Sequence, residues 1–332
     1  MAKIALDGLG GEAIEHHVAG ALQSFLASEP EAQICIATSE EHFKQICSKL
    51  QKDFCERVEL LNGPEKIGFN ESPVQALKQK KNSSIGAAVQ AVAEGECFAL
   101  VSFGHTGATV AASQLQLGLL SGVSRAGLAA IVPNRGGYGL LMDVGANLNC
   151  KPEHLYQYAL MADLYCRHGL AIPEPRVGLL NIGSERQKGD SFLKTTHDLF
   201  LQGDFHFVGN VEGGQIFDGS VDVVICTGVT GNMLLKSAES LANMLFESIR
   251  EKLFANETQD DVSSRARWLI SSLASKHDPD SRGASRLLGV KGLVLIGHGN
   301  AGEEAIISAL SSAYREMRMG LQPAISKRLA QS

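Results

Sequence analysis

Residues 138–157 read YGLLMDVGANLNCKPEHLYQ. The apolar run Tyr138–Met142 reads as a buried strand. The amphipathic stretch after Pro152 reads as a helix, with proline at a first position where its missing N–H costs nothing. Asp143 to Lys151 is then a strand-to-helix turn carrying an acidic residue, a glycine and an asparagine. In open α/β folds ligands bind outside the carboxyl ends of strands, at such turns. The same unit recurs along the chain, and the recurrence sets the fold class.

Upstream, Lys3–Asp7, Gln33–Thr38, Arg57–Leu61 and Phe98–Phe103 read as strands, and Leu128–Val132 precedes the quoted stretch. Helical patterns lie at 12–27, 40–52, 84–94 and from GHTGA to Leu120, and Ser72-Pro73 opens another with an N-cap residue followed by proline. Downstream come strands Arg176–Ile182, Phe205–Val208, Val221–Thr227 and Gly292–Ile296, with helices near 190–201, 230–253 and 301–317. The long helix carries Leu234, Leu241, Leu245 and Ile249 at helical spacing. This alternation predicts an α/β fold with a largely parallel sheet flanked by helices. One unit is expected over 1–320, with a helical insertion about 254–290 and a C-terminal tail at 321–332.

Composition narrows the function. The chain has 332 residues, is 44% hydrophobic and 20% charged, and carries a formal charge of −6. That suits a large soluble core and argues against nucleic-acid binding, which leaves a basic footprint. Seven scattered cysteines without CxxC spacing suit reduced thiols rather than a disulfide framework. No metal site, signal peptide or transmembrane run is expected. The 35 glycines gather at the ends of apolar runs. Asp7–Gly11, Gly104–Gly107, Gly183 to Gly189, Gly228–Asn232 and Gly297–Asn300 each follow a strand. Glycine permits the sharp turn and a close ligand approach, and the next helix offers unpaired N–H groups to an anion. One such turn is ordinary turn chemistry; five, set with Thr, Asn, His or Lys, point to a phosphate-handling cleft. Neither GxGxxG nor GxxxxGK[ST] occurs, so dinucleotide and P-loop readings are weak. His298, between two glycines, reads equally as catalyst or as packed residue, and His105 somewhat less so as catalyst. Lys188 is a loop cation or a solvated charge. Lys78, Lys80 and Lys81 are a basic cluster that is either a solvated face or a contact for an acidic partner.

The stretches IALDGLGGE, SPVQALKQKKNSS, LLMDVGANLNCKPEHLYQYALM, PRVGLLNIGSERQKGD and FVGNVEGGQIFDGSVDVVICTGVTGNMLLKSAES resemble, in order, the PlsX family of phosphate acyltransferases. The resemblance runs from Lys3 to about residue 318. It implies a fold like isocitrate and isopropylmalate dehydrogenases and phosphotransacetylase. It also implies a cytoplasmic homodimer that transfers the acyl group of acyl-carrier protein to inorganic phosphate, without cofactor or metal. The acyl phosphate would pass to a membrane glycerol-phosphate acyltransferase in phospholipid synthesis, which implies peripheral membrane contact. The chain departs from the family pattern at turn tips: Glu12 for aspartate, His105 for asparagine, Thr227 for aspartate, Ile296 for lysine, and one extra residue near Arg286.

On this reading the turns Gly104, His105, Thr106, Gly107 and Gly228, Thr230, Gly231 bind phosphate with Lys188. Asn181, Asn210 and Asn232 are candidate donors to phosphate or oxyanion, and His298 protonates the leaving thiolate. Lys78, Lys80 and Lys81 would meet the carrier protein. Trp268 and Leu269, flanked by Arg265 and Arg267, would dock on an anionic membrane or pack on a dimer mate. The alternatives are an acyl-phosphate enzyme with another acyl donor, and a catalytically degenerate binding or regulatory homologue.

Overall fold

The computed structural model describes residues 3–12, 14–254 and 284–329. The strands are β1 (Lys3–Asp7), β2 (Gln33–Thr38), β3 (Val58–Asn62), β4 (Ala99–Ser102), β5 (Gly127–Asn134), β6 (Gly137–Met142), β7 (Arg176–Leu180), β8 (His206–Val211), β9 (Val223–Ile225), β10 (Ser285–Leu288) and β11 (Leu293–Ile296). The described helices are α1 (Ile14–Ser28), α2 (Glu40–Lys49), α3 (Lys52–Cys55), α4 (Pro73–Gln79), α5 (Ser84–Ala93), α6 (Thr106–Gln116), α7 (Pro152–Gly169), α8 (Ser191–Phe200), α9 (Gln215–Asp218), α10 (Gly228–Phe254), α11 (Glu303–Arg318) and α12 (Leu321–Leu329).

Among the described residues, eleven strands form one sheet in the order β3-β2-β1-β4-β11-β10-β5-β6-β9-β7-β8. β3, β2, β1, β4 and β11 are mutually parallel, as are β6, β9, β7 and β8. β10 runs antiparallel to β11 and β5, and β5 to β6. The two parallel halves therefore point in opposite directions, and the three antiparallel pairings form the seam between them.

The pattern of burial follows. Strand residues that alternate in direction feed opposite faces. Ile4, Leu6, Ile34, Ile36, Val101 and Leu295 pack under α1 and α11. Ala129, Leu140, Met142, Val177 and Ile225 pack under α7 and α8. Leu100, Leu128, Leu141, Val224 and Ile296 face the other way, towards α5 and α6. At the seam, Arg286 of β10 is 1% exposed. Its Nε donates to Glu316 Oε1 at 2.8 Å, and the Tyr165 hydroxyl donates to the same oxygen at 2.9 Å. The buried Glu316 carboxylate thereby joins β10, α7 and α11.

Two boundaries differ from the sequence reading. The helical insertion expected to about residue 290 does not extend that far, because Ser285–Leu288 is a strand inside the sheet, with Leu287 and Leu288 buried. A four-residue strand is too short to stand out by periodicity. Residues 321–329 of the expected tail form α12, whose Leu321 and Ile325 are buried among the residues under α7. Among the described residues, no helix is long and apolar enough to cross a membrane.

Candidate active site

The quoted turn is a latch. Asp143 is fully buried. Its Oδ1 accepts the backbone N–H groups of Leu128, Gly145 and Ala146, at 3.0, 3.0 and 2.9 Å. Its Oδ2 accepts the Asn147 backbone N–H at 2.9 Å and the Asn147 side-chain amide at 3.1 Å. That amide also donates to the Ala126 carbonyl and meets the Tyr158 hydroxyl. Burial pushes the Asp143 carboxyl pKa up, and these donors oppose the rise. The acidic residue, glycine and asparagine thus serve one purpose, which is to fold the turn around a single carboxylate.

α10 starts against this latch. A Cβ on Gly231 would stand 2.0 Å from the Asp143 carbonyl oxygen, and one on Gly228 2.4 Å from the Asn147 carbonyl oxygen. Only glycine allows that approach. Asn232, Lys236 and Glu239 follow at i, i+4 and i+7, which places them along one helix face. From Gly228 to Glu239 the helix rises about 16 Å at 1.5 Å per residue. A four-residue strand spans about 13 Å, so α10 carries its polar stripe across the sheet to the opposite edge.

At that edge the turns after β1, β4 and β11 stand together, and those after β4 and β11 face α10. The Glu12 backbone N–H donates to the Gly299 carbonyl at 2.7 Å, tying the β1 turn to the β11 turn. A Cβ on Gly10 would lie 2.6 Å from the Gly104 nitrogen, so the β1 and β4 turns also touch. Beneath them the Ser102 hydroxyl donates to buried Asp7 at 2.7 Å and accepts the Gly104 N–H at 3.1 Å. α6 opens beside these turns with no side-chain cap at His105, which leaves first-turn N–H groups for a ligand.

The result is a cleft of about 350 Å³ lined by Thr106, Gly145, Gly228, Asn232, Lys236 and His298, among others. A smaller cavity of about 50 Å³ adjoins it at Ile296, Gly297 and His298, walled by Phe103, Ile131 and Leu235. His298 Nε2 stands 3.4 Å from Glu239 Oε1. The arrangement offers backbone N–H groups, an amide, an ammonium and an imidazole around one apolar-backed space. Such a set can hold an anion, stabilise an oxyanion and deliver a proton. Among the described residues, no cluster of His, Cys, Asp or Glu could hold a metal ion.

The structure brings together Thr106, Gly228, Asn232 and His298, with Gly104 and Gly107 in the adjoining turn. Other residues named from sequence stand elsewhere. His105 turns out of the cleft: its Nε2 lies 3.1 Å from the Glu71 carbonyl oxygen, and its ring stacks beside Phe69. Asn181 donates to the Lys188 carbonyl at 3.1 Å and Asn210 to the Glu185 carbonyl at 2.9 Å, so both amides brace the loop after β7. Lys188 rides on that loop, 3.9 Å from Glu185 and about half exposed. Thr230 exchanges a hydroxyl hydrogen bond with Thr227 at 2.9 Å, and Gly231 is buried on the latch. Lys80 is held by Glu71 at 2.7 Å and by the Lys66 carbonyl, whereas Lys78 and Lys81 are exposed. Trp268 and Leu269, with Arg265 and Arg267, lie outside the described residues. Sequence reasoning missed Lys236 and Glu239. The signal was their spacing from Asn232 on a helix read only for its leucines.

The opposed half-sheets, flanked by helices, define an α/β fold with one large, mostly parallel sheet. The chain aligns over 95% of its length with EutD phosphotransacetylase from Staphylococcus aureus, covering 94% of that chain at a TM-score of 0.58 and 14% identity. It also aligns with 4-hydroxythreonine-4-phosphate dehydrogenase from Klebsiella pneumoniae, over 96% of this chain and 99% of that one, at a TM-score of 0.53 and 11% identity. At these identities the likeness concerns the fold alone. Residues 2–323 match the family described as fatty acid synthesis protein. A relative from Desulfitobacterium hafniense strain Y51, named phosphate acyltransferase, is 38% identical over 331 residues, 99% of this chain and 98% of its own. The chain belongs to this family.

Proposed function

We propose that this protein transfers an acyl group from a thioester to inorganic phosphate, with acyl-carrier protein as donor, to make the acyl phosphate used in phospholipid synthesis. The observation that carries the reading is the stripe Asn232, Lys236 and Glu239 facing His298 and the opening of α6 across one cleft. Hydrogenphosphate is already a competent nucleophile, so the enzyme's task is placement. The α6 N–H groups and Lys236 hold phosphate, with Lys188 a further cation at the edge from which α10 starts. Asn232 donates to the developing oxyanion, and His298 protonates the departing thiolate. Losing one oxyanion donor typically costs about a hundredfold or more in rate.

The carrier would approach over exposed Lys78 and Lys81, since acidic partners are steered by such charges. A second copy would cover α10, whose Leu241, Met244, Leu245 and Ile249 are each 41–56% exposed at helical spacing. That apolar stripe supports a homodimer. The test is incubation with long-chain acyl-carrier protein and phosphate, trapping acyl phosphate with hydroxylamine. Formation only with phosphate and only from the carrier thioester supports the reading. Equal turnover of a coenzyme A thioester would assign a different donor, and no product from either would leave a binding protein.

A further inference from the structure

Glu239 is the one acidic side chain in the α10 stripe that faces the cleft. Its side chain is only 21% exposed, and its Oε1 lies 3.4 Å from Nε2 of His298. The ring itself stands on a turn built for a fixed path. A Cβ at Gly297 would stand 2.3 Å from the Phe103 ring, and one at Gly299 2.5 Å from the Phe69 ring. The backbone is thus clamped between two aromatics while the imidazole, 43% exposed, reaches across to another element. An imidazole's second nitrogen is defined by what holds the first. A carboxylate on one nitrogen fixes ring orientation and favours the imidazolium.

We infer that Glu239 is a positioning residue for His298. Its carboxylate, at ion-pair distance from Nε2, holds the ring in the orientation from which the imidazolium gives its proton to the substrate. This rests on the acyl-transfer reading above. A phosphate oxygen bonds to the thioester carbonyl carbon, and the carbon–sulfur bond breaks. The imidazolium proton passes to the thiolate sulfur, and the proton given up by hydrogenphosphate restores the imidazolium. Nothing else is consumed.

The experiment compares wild type, Glu239→Gln, Glu239→Asp, His298→Ala and the Gln/Ala double variant. Each is assayed with an alkyl thioester donor and with an aryl thioester, whose thiolate leaves without a proton. Glu239→Gln should lower kcat for the alkyl thioester by about tenfold or more, within the range of a weakened general acid, and leave the donor KM within about twofold. The aryl thioester should recover most of the loss, and Glu239→Asp should fall between. The double variant should be no slower than His298→Ala alone, because the two act as a unit. In ¹⁵N-histidine spectra, Glu239→Gln should move the His298 Nε2 signal selectively. Normal wild-type turnover with an unaffected Glu239→Gln, an equal loss on the aryl thioester, or multiplicative losses in the double variant would each overturn the inference. So would an unmoved Nε2 signal. A wild-type protein that makes no acyl phosphate would instead sink the acyl-transfer reading, and the catalytic role with it.

Discussion

Asp143→Asn tests whether the latch carries the architecture of the site. The substitution keeps the shape and replaces one acceptor oxygen by an NH₂. Asp143 Oδ1 holds three backbone N–H groups, and Oδ2 holds one backbone N–H and one side-chain amide. The less costly orientation puts the NH₂ at the Oδ2 position. There it opposes the Asn147 N–H, while the Asn147 amide keeps the Ala126 carbonyl and the Tyr158 hydroxyl. One buried N–H is stranded, at about 1–3 kcal/mol, and the three remaining bonds lose their charged acceptor, at about 0.5–1 kcal/mol each. Relief from burying a carboxylate offsets part of this. A net loss of about 2–4 kcal/mol follows, read as a lower urea midpoint at unchanged slope. Because α10 rests on the Asp143 carbonyl through Gly231, acyl-phosphate formation should fall further than the folded fraction does. A stability change below about 0.5 kcal/mol, the usual range of a surface substitution, would refute the latch.

Gly231→Ala should also destabilise, by about 1–3 kcal/mol or more from forced overpacking, since its Cβ would stand 2.0 Å from a carbonyl oxygen; an unchanged thermal midpoint would disprove it. Lys236→Ala should raise the phosphate KM more than Lys188→Ala does, because Lys236 lines the cleft whereas Lys188 stands near Glu185 on a braced loop; the reverse order would move the phosphate site towards β7. Asp222 gives a pH signature. Burial would raise its carboxyl pKa, but the Arg176 guanidinium, bonded at 2.8 Å, prevails and holds it below the usual range. Its contribution is complete above the unfolded value of about 3.9 and is lost as pH falls through the folded value. Asp222→Asn should therefore flatten stability against pH on that acid limb, and an unchanged slope would show the pair to be inert.

The sheet and its helices were legible because strand–turn–helix units repeat with glycine at each turn. The quoted stretch could be read as a strand, a turn and a helix, but not as a carboxylate wrapped by N–H groups, because its donors include Leu128 from the neighbouring strand. The same limit applies at the cleft. Gly228, Asn232 and His298 announced themselves as turn residues, whereas Glu239 matters only because α10 crosses to the opposite edge, a fact of the antiparallel seam. Asn181 and Asn210 looked like ligand donors because they follow strands, yet their amides are spent on loop carbonyls. A residue's type and place in a turn do not reveal which of its bonds the fold has already claimed.

The position of β10 and β11 has a consequence for synthesis. Both lie in the middle of the sheet, between β4 and β5, yet both come from the last fifty residues of the chain. Until they leave the ribosome, β4 and β5 each present an unpaired edge, and no N-terminal fragment can join the two half-sheets. Exposed edges invite pairing with other chains, and such long-range strand pairing is slow. A ribosome stalled before residue 285 would thus hold two half-sheets without the strands that splice them, and a chain ending there would be a substrate for chaperones rather than a smaller enzyme.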